Sequence, residues 1–178
     1  MRCIEDGMRG WHPPQAMSLN AWLQNVWTES WPERMPASDI LRTSLWYRLS
    51  SEIHPPSPFE RDLGLCSLLD ENYGVMIRHG IEPAAGFPST PLVEWRREIS
   101  RAFKVGLNRE GFFHPAELPI LVSGAISTND ELCPGKISLS GFESPAPIEK
   151  DLFSLLEKKA DVEHCEAQRG KPEALRAV

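Results

Sequence analysis

Long hydrophobic runs are missing from this 178-residue sequence. No apolar stretch approaches the roughly 18 to 20 residues that a membrane-spanning helix needs. The opening residues, MRCIEDGMRGWHPPQ, contain no apolar stretch of signal-peptide length. Both absences lead us to expect a cytoplasmic protein that does not bind membranes. Residues 1–17 have the composition of a flexible leader, so the true start is left open between Met1 and Met17.

Cysteine is scarce and scattered. The four cysteines are Cys3, Cys66, Cys133 and Cys165, and no two of them form a Cys-x-x-Cys pair. A secreted disulfide scaffold is dense in cysteine, and a zinc site usually pairs its ligands at short spacing. The spacing therefore predicts four reduced thiols, with no disulfide and no bound metal.

The common catalytic signatures are absent as well. The sequence contains no GxxxxGK[ST], no GxGxxG after a strand, no HExxH and no GxSxG. These motifs would mark a phosphate loop, a dinucleotide site, a zinc protease and an esterase. Their absence favours a protein that needs no cofactor, and it lowers the expectation of an enzyme without removing it.

Charge also excludes some partners. The formal net charge is −6, which works against attraction to nucleic acid or to anionic lipid. One helix nevertheless carries Arg97, Arg101 and Lys104 at i, i+4 and i+7, and we count these three among the candidate binding residues. They could contact an acidic partner. Alternatively they form a solvated face with local ion pairs to Glu94 and Glu98.

Proline and capping residues divide the chain into amphipathic segments. The sequence has 16 prolines, and apolar residues recur at helical spacing between them. The helical segments are SLNAWLQNVWTESW, PASDILRTSLWYRLSSEI, SPFERDLGLCSLLDENYG, STPLVEWRREISRAFKVG and PIEKDLFSLLEKKADVEH. We predict a mainly α fold: one domain of five to six short helices over 18–160 with at most a small β element, and a tail over 161–178.

Local signals set the expected helix limits and leave two stretches ambiguous. The third helix is expected to start at Pro58, and the fourth to end at Gly106. Residues 75–77 and 118–126 fit either a helix or a buried strand. The stretch GKISLSGF alternates weakly, as a short strand does.

Three histidines each precede a proline: His12, His54 and His114. A residue before proline is pushed out of the α region, so the three His-Pro pairs indicate the ends of helices more than metal ligands. His114 is the exception that we retain, because Glu110 and Glu117 lie close to it in the sequence. The three could supply acid–base groups to a small hydrolase or transferase, which is the alternative function.

Tryptophan is concentrated at the front of the chain, where five of the six lie within the first 46 residues. Two short helices cannot hide this much aromatic area, and aromatic residues dominate binding hot spots. The leading hypothesis is a non-catalytic module that binds another protein as an adaptor, inhibitor or accessory subunit, and self-association is left open. The predicted contact residues are Trp27, Trp31, Trp46 and Tyr47.

Overall fold

The structure is a computed structural model that describes residues 16–81 and 90–165. These ranges contain six α-helices and two pairs of short parallel strands, which confirms the predicted mainly α fold with a small β element. The helices are α1 (Leu19–Glu29), α2 (Asp39–Glu52), α3 (Leu63–His79), α4 (Pro91–Arg109), α5 (Leu118–Thr128) and α6 (Pro147–Lys159). The strands are β1 (Met35–Pro36), β2 (Phe112–Phe113), β3 (Lys136–Ser140) and β4 (Asp161–Cys165). No helix in the described ranges is long and apolar enough to cross a membrane.

Some predicted features lie outside the described residues. They are Cys3, Trp11 and His12, the leader up to residue 15, and the part of the predicted tail that begins at residue 166.

Three helices begin at side chains that the sequence marks as caps. The hydroxyl oxygens of Ser18, Ser38 and Thr90 each accept a hydrogen bond from the backbone N–H three residues later, at 3.2, 3.3 and 3.3 Å. Each bond satisfies one of the N–H groups that a helix start leaves without a partner. The predicted starts of α1, α2 and α4 are therefore confirmed.

The third helix starts later than predicted. α3 begins at Leu63 and not at Pro58, because the Asp62 carboxylate accepts a hydrogen bond from the Leu65 N–H at 2.7 Å. Asp62 is therefore the N-cap. The helix then continues to His79, so residues 75–77 are helical.

The fourth helix passes through the glycine at which it was expected to end. α4 continues to Arg109, and Gly106 lies where α4 meets α2. A Cβ atom at position 106 would lie 3.1 Å from the Leu45 side chain. Gly106 is therefore a site of close helix packing, and the prediction that it ends the helix is wrong.

The buried side chains form two clusters. The first joins α2, α3 and α4, and at its centre Trp46 stacks on Phe103 with ring centroids 3.8 Å apart. The second joins α1, β2, α5, α6 and β3. Leu118, Val122 and Ile126 are fully buried in it at helical spacing, so residues 118–126 are a helix and not a strand.

The C-terminal elements form a β-α-β unit. The predicted strand is present as β3, and α6 leads from it to β4, which lies parallel to β3 with Val162 opposite Ile137. The last helix thus ends at Lys159, and residues 161–165 are a strand, not the start of a tail as predicted. Val162 packs against the second cluster, which gives this short strand its anchor.

Candidate functional site

His114 has a structural role in the turn that it begins. It precedes a 3-10 turn, Pro115–Glu117, and its Nδ1 accepts a hydrogen bond from the Ala116 N–H at 3.1 Å. The Glu117 carboxylate in return accepts a hydrogen bond from the His114 backbone N–H at 3.3 Å. This reciprocal pair is a capping box. The imidazole is thus part of the turn, whereas the side chain of His54 is exposed after α2.

The second ring nitrogen of His114 faces a carboxylate. Because Nδ1 accepts a hydrogen bond, neutral His114 carries its proton on Nε2. Nε2 lies 3.5 Å from Asp70 Oδ1, has no closer hydrogen-bond partner among the described residues, and is shielded from solvent. Neither nitrogen is therefore free to exchange a proton with a substrate.

Asp70 is the centre of a polar cluster that the sequence analysis missed. Its oxygens accept hydrogen bonds from Arg42 Nε at 3.1 and 3.0 Å and from Trp46 Nε1 at 3.1 Å, and His114 approaches from the other side. Burial by itself would raise the pKa of Asp70. The nearby His114 imidazole, together with the hydrogen bonds from Arg42 and Trp46, outweighs burial and holds the pKa below its usual range. The sequence pattern that could have predicted this cluster is on α2, where Arg42 and Trp46 are four residues apart and share a face.

The three predicted acid–base residues do not act together. Glu110 lies at the end of α4, where its carboxylate is 3.4 Å from Arg48 Nη2. Glu117 is occupied by the His114 backbone, and His114 by Ala116 and Asp70. The three side chains thus have different partners, which counts against the predicted acid–base site.

A cleft of about 510 Å³ lies beside this cluster, between α1, α3 and the 3-10 turn. Ser18 and His114 both line it, but the Ser18 hydroxyl oxygen caps α1 by accepting a hydrogen bond from the Ala21 N–H. Nδ1 of His114 is bonded to the Ala116 N–H and Nε2 is buried beside Asp70, so neither nitrogen bonds to that hydroxyl. The pair therefore lacks the hydrogen bond that activates a serine nucleophile.

The structure removes Trp46 from the predicted contact surface. Its side chain is 0% exposed, because the ring stacks on Phe103 and its N–H donates to Asp70. The next residue, Tyr47, points outward and is 41% exposed, with the Arg61 guanidinium 4.8 Å from its ring centroid. The prediction is wrong for Trp46, since α2 is rotated so that position 46 faces α3 and α4.

Trp27 is half-buried and belongs mainly to the fold. Its indole N–H donates to the backbone oxygen of Arg34 at 2.9 Å, and its ring meets Phe113 edge-on with centroids 5.5 Å apart. One edge of the ring remains at the surface, where it lines the cleft described next.

Trp31 is the most exposed large apolar side chain in the described ranges, at 92%. It follows α1 and its Ser30 cap with φ 52°, in the left-handed region where glycine is usual after a helix. Left-handed backbone costs an L-residue roughly 1–2 kcal/mol. Trp31 therefore occupies a strained position and gains little burial in exchange.

A second cleft, of about 460 Å³, opens beside Trp31 between the C-terminal ends of α1 and α5. We call it the Trp31 cleft. Its lining includes Trp27, Trp31, Pro32, Ala125, Thr128 and Leu132. Apolar surface thus continues from the exposed indole into a concave wall.

The Trp31 cleft carries negative charge. Glu29 and Glu33 line it and are exposed, and neither forms an ion pair with another described residue. Neither α1 nor α5 has a basic residue in its own last turn, but Lys159 of α6 donates to the Ile126 oxygen at 2.8 Å and so offsets the partial negative charge at the end of α5. Among the described residues that line the cleft, only Arg34 is basic, and it donates to Asn108 Oδ1 at 2.7 Å.

The basic residues of α4 do not form the uniform exposed face that was predicted. Arg97 is half-buried, while Arg101 and Lys104 are exposed. The predicted ion pair between Glu98 and Arg101 does not form among residues 16–81 and 90–165. Their role as binding residues stays a prediction.

No family model matches the chain, and the searches of curated proteins and of solved structures give no match either. Within the described ranges, Cys66, Cys133 and Cys165 are free thiols. The same ranges contain no group of three or more histidine, cysteine or acidic side chains placed to hold a metal ion.

Proposed function

We propose that this chain is a non-catalytic module that binds another protein through Trp31 and the adjoining Trp31 cleft. The observation that carries the proposal is the 92% exposure of a tryptophan whose backbone is strained at φ 52°. Large apolar side chains left at a surface beside a concave wall usually mark an interaction site. Tryptophan is also among the residues most enriched in binding hot spots.

The energetics support an interface role over a structural one. The fold buries little of the Trp31 ring, so the ring contributes little to folding. Covering it with a partner would remove about 200 Å² of apolar surface from water, and after the costs of association such an anchor is worth on the order of 2 kcal/mol of binding. The side chain is therefore worth far more to a complex than to the isolated domain.

The state of His114 supports a non-catalytic role. Nδ1 accepts a hydrogen bond from the Ala116 N–H, and Nε2 faces Asp70 and is shielded from solvent. A cytoplasmic location belongs to the same proposal and is supported by the four scattered cysteines, which do not resemble a secreted disulfide scaffold.

The test is affinity capture from cells that express the protein. Tagged wild-type chain, Trp31→Ala and Ile40→Ala are compared by quantitative mass spectrometry. Ile40 is the matched control, since it is 81% exposed on α2 and does not line the Trp31 cleft. We expect one or more proteins to be captured by wild type and by Ile40→Ala, with capture by Trp31→Ala weakened about 30-fold, as loss of a hot spot predicts. Equal capture by all three chains would contradict the proposal.

A further inference from the structure

Resting on the proposed function, we infer that the partner presents a basic segment and that one of its arginine or lysine side chains enters the Trp31 cleft. The proposed function requires only that a protein binds at Trp31. The charge and shape of the cleft specify the chemistry of that protein.

Charge is the first argument. Glu29 and Glu33 flank the cleft, are exposed, and form no ion pair with a described residue, so no described cation neutralises them directly. The C-terminal end of α1, which has no basic residue in its last turn, adds partial negative charge in the same direction. The guanidinium of Arg34, which donates to Asn108 and lies 5.9 Å from the centre of the Phe113 ring, offsets one of the two carboxylate charges, so the charged side chains of the described lining remain net negative.

The lining is the second argument. Trp27, Pro32, Ala125 and Leu132 provide apolar wall, which suits the aliphatic stem of a lysine or arginine. The exposed indole of Trp31 can take the charged head against its face, and tryptophan is the best aromatic partner for a cation. A volume of about 460 Å³ leaves room for one such side chain with the neighbouring backbone.

Other occupants fit this charge less well. A two-fold dimer built on this surface places the same patch on both copies, so Glu29 and Glu33 of one copy would approach those of the other. Nucleic acid and anionic lipid would meet the same repulsion. A basic protein segment is the occupant that the acidic rim attracts.

The test uses a random 12-residue peptide library displayed on phage, selected against the full chain with Trp31→Ala as the counter-selection target. We expect the selected peptides to be enriched in arginine and lysine relative to the library. One such peptide, synthesised with a fluorophore, is then titrated by anisotropy at rising salt. We expect the affinity of wild type for the peptide to fall as salt is added. At low salt, we expect the affinity to be about 10-fold weaker than wild type in the double variant Glu29→Gln, Glu33→Gln, and about 30-fold weaker in Trp31→Ala. The control variant Glu52→Gln removes an exposed carboxylate that does not line the cleft, and it should bind as wild type does.

The outcomes separate the two proposals. Peptides that depend on Trp31 but show no excess of basic residues would overturn the basic-segment inference and leave the proposed function standing. Selection that yields no Trp31-dependent peptide overturns the inference as well, while the proposed function is judged by the capture experiment. If sedimentation shows that wild type is a dimer and Trp31→Ala a monomer, the occupant is a second copy and the inference is wrong.

Discussion

Replacing Trp31 with glycine should leave the domain about as stable as wild type, although it removes the largest exposed apolar side chain. Three contributions set the change in the free energy of unfolding. The ring is 92% exposed, so deleting it gives up only about 20 of its 250 Å², or roughly 0.5 kcal/mol. Glycine also gives the unfolded chain more freedom, which costs about 0.4–1 kcal/mol.

Relief of backbone strain opposes these losses. Trp31 has φ 52°, and glycine adopts this conformation without the roughly 1–2 kcal/mol that an L-side chain costs. The net change is therefore expected to lie within about 1 kcal/mol of zero. Trp46→Ala is the matched comparison, because the same residue type is there 0% exposed and stacked on Phe103. It should lose about 3–5 kcal/mol.

Urea unfolding at pH 7, followed by circular dichroism, measures both variants on the same scale. A loss above about 2 kcal/mol in Trp31→Gly would show that the ring belongs to the core. The argument that Trp31 is kept for a partner would then fail, whatever the capture experiment found.

Two further predictions test the packing around the polar cluster. Asp70→Asn should lower the free energy of unfolding by about 2–4 kcal/mol at pH 7, because Arg42 then loses its partly buried counter-charge. The control is Asp39→Asn, which removes the exposed partner of the same guanidinium and should cost under about 1 kcal/mol. The folded state holds the pKa of Asp70 low, so the contribution of Asp70 to the free energy of unfolding is complete above the unfolded pKa of about 3.9 and is lost as the pH falls further. Urea titrations should therefore show that the difference in free energy of unfolding between wild type and Asp70→Asn becomes smaller below about pH 4. A constant difference would refute this argument. Gly74→Ala should destabilise by about 1–2 kcal/mol because its Cβ would lie 3.1 Å from the imidazole. The control Gly124→Ala meets nothing within 4 Å on α5 and should be neutral or stabilising by up to about 1 kcal/mol in thermal melts, so equal losses at both sites would contradict the packing argument.

The helices could be predicted because their signals are local. A cap and its N–H partner lie three residues apart, as at Ser18, Ser38 and Thr90, and an apolar stripe repeats within one segment. The same locality explains two errors. A proline after a serine at position 57 looks like a helix start, but Asp62 provides the cap that is used. A glycine at position 106 looks like a helix end, because the Leu45 side chain that packs against it lies in another helix and is not part of the local sequence.

The polar cluster and the last strand could not be predicted for a related reason. Asp70, Arg42 and His114 come from three separate elements, and their meeting depends on how α2, α3 and the 3-10 turn pack. β4 is mostly exposed and has only Val162 facing the core, so it shows no period-2 pattern. Its strand conformation comes from pairing with β3, which the sequence of residues 161–165 does not encode alone.

Packing and the partners of the indole N–H groups together separate the other described tryptophans from the candidate anchor. Trp22 packs against the second cluster without an indole hydrogen bond to a described residue. Trp27 donates to the Arg34 oxygen, Trp46 to Asp70 and Trp95 to the Ile53 oxygen, at 2.9, 3.1 and 2.9 Å. A buried indole needs such an acceptor, since an unpaired donor in the core costs about 1–3 kcal/mol. Trp31 donates its indole N–H to no described residue, and its ring lies outside both clusters. Sequence reasoning predicted the exposure of position 31 correctly because the residue follows an apolar stripe and precedes Pro32, which are local facts. It failed at position 46 because a residue at the edge of an apolar stripe can face either the core or the solvent, depending on the rotation of the helix. The packing of α2 against α3 and α4 sets that rotation.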